Sequence, residues 1–199
     1  MRRWKDCTGL VLGFALLLAV SGCGGDMKAQ DIPSPSEEEL AGNPVDAPKE
    51  AVEAADTFFE EIQSQIPESE TSLYRMAWEK DGMTLADTVY LGANGDEVER
   101  IGEVVYIDFS TFAQKNGKEI KNQMLILFDD LVLKFQEVEG VECTREVNDN
   151  FYVMYVDASK ESLKELAEQG LFAFAKGNGN ISLEDTQAAL EEGGYKEIL

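Results

Sequence analysis

The chain contains no histidine, and that absence excludes more chemistry than any motif supplies. Without an imidazole there is no Ser-His-Asp or Cys-His nucleophile, no HExxH zinc site and few routes to a transition-metal centre. No serine has a lysine three residues later, so the Ser-x-x-Lys arrangement is missing too. Cysteine is scarce, 3 in 199 residues. Basic residues are few: 17 Lys plus Arg stand against 39 Asp plus Glu, for a net charge of -22. A body this acidic repels nucleic acid and anionic lipid. Its plain physical effect is a well-solvated surface.

What is present begins at the N-terminus. Arg2, Arg3 and Lys5 precede an apolar stretch at residues 10–20, broken only by Gly13. Charge followed by a short apolar run is the order of a cleavable export signal. The run falls short of the roughly 20 apolar residues that span a bilayer. An ordinary secretory signal ends in an A-x-A-like site. Here Val20-Ser21-Gly22-Cys23 resembles the bacterial lipobox instead. That resemblance implies cleavage before Cys23, diacylglycerol on its sulfur and acylation of its new amino group. Two or more acyl chains anchor stably where one does not. Cys23 is thus the expected lipidation site, and the expected place is the outer side of a membrane. Gly24 follows, so the aspartate associated with inner-membrane retention is absent.

Removing residues 1–22 takes away three bases and one acid, so the net charge moves from -22 to -24. Cys7 leaves with the signal and Cys23 is lipidated, so Cys143 becomes the one free thiol and no internal disulfide is possible. Such a domain depends on its core. About 130 residues suffice for one core, burying roughly two-thirds of the unfolded surface. Residues 23–46 read as an acidic tether with Gly24-Gly25, Pro33, Pro35, Glu37-Glu38-Glu39 and Pro44. A flexible coil of that length spans roughly 25 to 30 Å. The expected organisation is signal 1–22, lipidated tether 23–46 and a single domain 47–199.

Within that domain, Val52, Ala55, Phe58, Phe59, Ile62 and Ile66 recur at helical spacing, so an N-terminal helix is predicted over 47–66. Strands are predicted at 73–79, 83–91 and 98–109, turned by Asp81-Gly82 and Asn94-Gly95. Gly102 reads as a bulge in the third. Residues 118–138 change period: Ile120, Met124, Leu127, Leu131 and Phe135, widened by Leu125, Phe128 and Val132, predict a core helix covered on most sides. A hairpin follows at 141–147 and 151–156, then helices at 159–168 and from Ser182 to Gly193-Gly194. Ser182 with Asp185 reads as a capping-box start. The fold class is α+β, an antiparallel sheet of about five strands packed against helices.

Candidate sites are few. Cys143 alternates with Val141 and Val147, which suits a buried, inert thiol. Gly177-Asn178-Gly179-Asn180-Ile181-Ser182 imitates two motifs and fits neither. A dinucleotide fingerprint needs glycine where Ser182 stands. An EF-hand register would put Phe174 and Lys176 at ligand positions, and neither ligates calcium. A glycine-rich turn into the Ser182 cap accounts for the run. Carboxylates are plentiful, but a glycosidase-like pair needs two at a fixed separation. Asp129-Asp130 point in different directions on a helix, and Asp108 and Asp157 take turn or cap roles after strands. Tyr74, Trp78, Tyr90, Tyr106, Tyr152 and Tyr155 lie in strands, where cross-strand core packing outweighs an exposed binding platform. No catalytic, metal or cofactor residue is assigned.

The stretch from Trp78-Glu79-Lys80-Asp81-Gly82 to Phe109, the helix leading into Gly140-Val141-Glu142, and the ending Gly194-Tyr195-Lys196-Glu197-Ile198 resemble the YehR-like small bacterial lipoproteins. The resemblance covers roughly residues 71–199 and the lipobox. It implies a lipid anchor and an α+β fold, and carries no known activity. The expected function is a lipid-anchored, non-catalytic binding or accessory module of the cell envelope. It would be held to the membrane through Cys23, with an envelope protein or small ligand as partner and no nucleic acid. The alternatives are an envelope hydrolase using paired carboxylates and a weakly cation-binding acidic surface.

Overall fold

Two glycines in the left-handed region set the central meander. Gly82 (φ 80°) joins β2 (Thr71–Lys80) to β3 (Met83–Asn94), and Gly95 (φ 61°) joins β3 to β4 (Glu97–Asp108). Glycine alone enters that region at no steric cost, which is why Asp-Gly and Asn-Gly between apolar runs predict hairpins. In this computed structural model the described residues are 45–46, 49, 52–53, 56–57, 60, 71–80, 82–112, 117–176 and 180–198. Cys23, the signal segment, residues 23–44 and Gly177-Asn178-Gly179 lie outside them.

The second hairpin joins β5 (Val141–Val147) to β6 (Phe151–Ser159). Its turn is closed by the Asn148 side chain, which accepts from the amides of Asn150 (2.7 Å) and Phe151 (2.9 Å). All pairings are antiparallel, in the order β1-β2-β3-β4-β6-β5, with β1 the short strand Val45–Asp46. The five expected strands are present. Two more, each of two residues, lie on the outer edge of β2: β1 (Val45–Asp46) against Glu79 and Trp78, and β7 (Lys196–Glu197) against Tyr74 and Arg75. Strands this short leave no periodic trace in a sequence. They also cover part of an edge that would otherwise offer free backbone groups. The opposite edge, β5, is blunted by Gln136, whose Nε2 donates to the Cys143 carbonyl at 2.9 Å.

Three helices, α1 (Gly117–Glu137), α2 (Lys160–Glu168) and α3 (Leu183–Glu192), bury their apolar sides on one face of the sheet. α1 contributes Met124, Phe128, Leu131, Val132 and Phe135. It is not covered on most sides, as its wide stripe predicts: Ile126 is 52 % and Leu133 59 % exposed. The helix rests on the sheet through one side only, and a broad apolar stripe does not tell which flank is left open. Phe128 stacks on Tyr152 (4.9 Å between centroids), and Phe135 meets Phe172 (5.4 Å). Burying each such ring contributes roughly 1.5 to 3 kcal/mol.

Ser182 caps α3 by accepting from the Asp185 amide at 3.2 Å. Ser182→Ala is expected to cost about 1 kcal/mol of stability, read as a lower urea midpoint. An unchanged midpoint would mean that the cap is replaced by water at no cost.

Candidate functional site

Strand alternation brings two acids inside. Met83, Leu85, Asp87, Val89 and Leu91 share one phase of β3, and Ile101, Glu103, Val105 and Ile107 one phase of β4. Both phases point at the helices, where their apolar members join the main core. In the register, Asp87 pairs with Val105 and Glu103 with Val89, so the two carboxyls are diagonal neighbours on the core face. Asp87 is 3 % exposed and Glu103 0 %. The segment after α3 lays Tyr195 over them, and its hydroxyl donates to Asp87 Oδ2 at 2.5 Å. β7 and a hydrogen bond donated by the Ile198 amide to the Leu73 carbonyl (2.8 Å) hold that segment down.

Burial sets the electrostatics. It pushes Asp87 up from 3.8 to about 6, against the lowering effect of hydrogen bonding from Tyr195 and Glu103. Glu103 is held well above the ordinary carboxylate range, first by burial and then by the Asp87 charge. Of the two acids, Glu103 is thus the one whose protonated form burial and the neighbouring charge favour more strongly. Their interaction is strong as electrostatics and poor as a hydrogen bond. Neither Glu103 oxygen nor Asp87 Oδ1 meets a partner at full hydrogen-bond geometry. Close carboxyls that share charge in this way occur in catalytic dyads, where substrate reaches them. Here helices and the Tyr195 segment lie over them, so the pair can store a proton but presents no open face to a polymer.

The acids foreseen as candidates sit elsewhere. Asp129 pairs with Arg145 (2.9 Å) and Asp130 with Lys134 (3.0 Å), in different directions as their helical neighbourhood requires. Asp108 takes a turn role, accepting from the Ser110 amide at 2.6 Å. Asp157 does not. β6 runs on to Ser159, so Asp157 lies within the sheet and holds Arg100 in a fork, Nε to Oδ1 at 2.8 Å and Nη2 to Oδ2 at 2.6 Å. Tyr90 adds a third bond, its hydroxyl donating to Asp157 Oδ1 at 2.6 Å.

Cys143 is buried on β5, and burial with the nearby Glu103 charge pushes its thiol up to about 12. It is a thiol held neutral, not a nucleophile. The strand tyrosines divide between faces. Tyr74 and Tyr152 pack in the main core, while Tyr90, Tyr106 and Tyr155 belong to the opposite face. Among the described residues, no group of three or more His, Cys, Asp or Glu side chains could hold a metal ion, and no helix is long and apolar enough to cross a membrane.

The chain is similar in structure to two solved proteins. The Escherichia coli YehR protein aligns with 18 % identity and a TM-score of 0.46, over 67 % of this chain and 94 % of that one. A protein from Streptococcus pneumoniae TIGR4 aligns with 12 % identity and a TM-score of 0.38, over 64 % and 84 %. No family model matches the chain, and no curated protein matches it.

Proposed function

We propose that this chain is a lipid-anchored lipoprotein on the outer side of a membrane, and that its α+β domain is a non-catalytic binding or accessory module of the cell envelope. The observation that carries this reading is Val20-Ser21-Gly22-Cys23 behind a charged start and a short apolar run. The domain adds two supports. Its remaining thiol, Cys143, is buried and held protonated. Its buried carboxyl pair, Asp87 with Glu103, is closed off beneath helices and Tyr195, which weighs against the hydrolase alternative.

Metabolic labelling with a radioactive fatty acid tests the anchor. The full-length chain is expected to take up label and fractionate with membranes, and Cys23→Ser to lose the label and accumulate as uncleaved precursor. A wild-type chain that takes no label would remove the anchor, and with it the envelope role. The binding role is tested separately by melting the protein against sugars, peptides and divalent cations. Shifts confined to cations would favour the acidic-surface alternative.

A further inference from the structure

The sheet has a second apolar face, turned away from α1, α2 and α3. Leu73, Ala86, Tyr90, Val104, Tyr106 and Val153 are buried on it. Side chains on an open sheet face meet water, so burial this complete requires a cover. The cover has an edge. On β5 the same face carries Glu142, Thr144 and Glu146, and all three are exposed. Something therefore lies over β2, β3, β4 and β6 and stops before β5.

The chain leads its own N-terminal helix to that place. Val45 and Asp46 pair with the outer edge of β2, and Lys49, Val52, Glu53, Asp56, Thr57 and Glu60 beyond them are helical. Val52 and Asp56 lie one turn apart and are half-buried, whereas Glu53, Thr57 and Glu60 are exposed. That helix thus has a side turned inward. Asp56 forms an ion pair with Arg75, a β2 residue on the second face whose side chain is largely buried. Arg75 is aimed by its neighbour, Nε donating to Thr88 Oγ1 at 3.0 Å. A largely buried arginine needs a counter-charge, and Asp56 supplies one.

We propose that the second face of the sheet is a helix-docking surface, and that its occupant is the chain's own N-terminal helix, set down with Val52 and Asp56 against the sheet. The domain then has three layers, helix, sheet and helices, and the outer layer is a cover held by apolar contact and by one ion pair at a half-exposed acid. Lifting it bares Tyr106, Phe151 and Tyr155 together, an apolar aromatic patch of the kind that marks an interaction site. This inference does not depend on lipidation.

The test uses the full chain with Cys7 and Cys23 replaced by serine, which leaves only buried Cys143. Adding Asp56→Cys with Arg75→Cys and treating with a short bis-maleimide is expected to give an internally cross-linked monomer of altered gel mobility, absent from either single variant. A cross-linked dimer would assign the face to a second copy and overturn the occupant proposed. Labelling of both cysteines by a monofunctional maleimide, with no cross-link, would overturn docking itself. A charge swap guards against variants that do not fold. Asp56→Arg and Arg75→Asp are each expected to lower Tm, and the double swap to recover part of the loss; strictly additive losses count against the contact.

Discussion

Glu103→Gln is expected to stabilise the protein at alkaline pH and to flatten the dependence of its stability on pH. Both acids of the buried pair have folded pKa values above their unfolded ones. The folded state therefore binds more protons than the unfolded state, and stability falls as pH rises. Their favourable contribution is fully present below about pH 4, the ordinary carboxylate value. It fades through about 6, where Asp87 ionises, and further as the more strongly raised Glu103 follows. Asp87's rise from 3.8 to about 6 corresponds to roughly 3 kcal/mol lost across that window. Glutamine keeps the shape of Glu103, cannot ionise, and its amide can donate to Asp87. The gain at pH 8 should be about 1 to 3 kcal/mol.

The measurement is urea unfolding of wild type and variant from pH 5 to 8.5. The high overall negative charge also weakens the fold as pH rises, so the difference between the two proteins is the quantity to read. Parallel curves, or a variant less stable than wild type throughout, would sink the claim that burial holds Glu103 well above the ordinary carboxylate range.

Much of the fold was legible because turn chemistry and apolar alternation agree. Asp81-Gly82, Asn94-Gly95 and Asn148-Asp149-Asn150 each separate runs of period two, and the structure turns at Gly82, at Gly95 and at Asn148. The buried pair was equally visible in principle and went unread. Asp87 stands in phase with Met83, Leu85, Val89 and Leu91, and Glu103 in phase with Ile101, Val105 and Ile107. An acid on the apolar phase of a strand is the signal, since a charged group is buried only where something compensates it. Their partnership could not be read, because it depends on register between strands and on Tyr195, 108 positions along the chain from Asp87. The extent of β6 was misjudged for a related reason. Asp157 looks like a strand terminator until Arg100 and Tyr90, supplied by other strands, neutralise and bind it.

Gly102→Ala is the other substitution with a large expected effect, and it follows from the bulge that is not there. The irregularity in the β3–β4 ladder falls between Gly92 and Ala93, while Gly102 stands in register between Tyr90 of β3 and Asp157 of β6. These three positions form one row across the second face. With no side chain at its centre, the Tyr90 ring occupies the space above Gly102 and its hydroxyl reaches Asp157. A methyl group at Gly102 would fall inside the ring, on Cε1 and Cζ. The ring cannot yield slightly, since Tyr90 is fully buried. It must leave the row, and it gives up its bond to Asp157 and its packing under the cover. Overpacking and the lost bond together should cost about 3 kcal/mol. That corresponds to a Tm lower by roughly 10 °C for a domain of this size. The test of mechanism is a double-mutant cycle. In a Tyr90→Leu background, where the long ring is gone, Gly102→Ala should cost much less than in the wild type. Equal costs in the two backgrounds would show that glycine is needed there for its backbone, and that the ring over Gly102 is incidental.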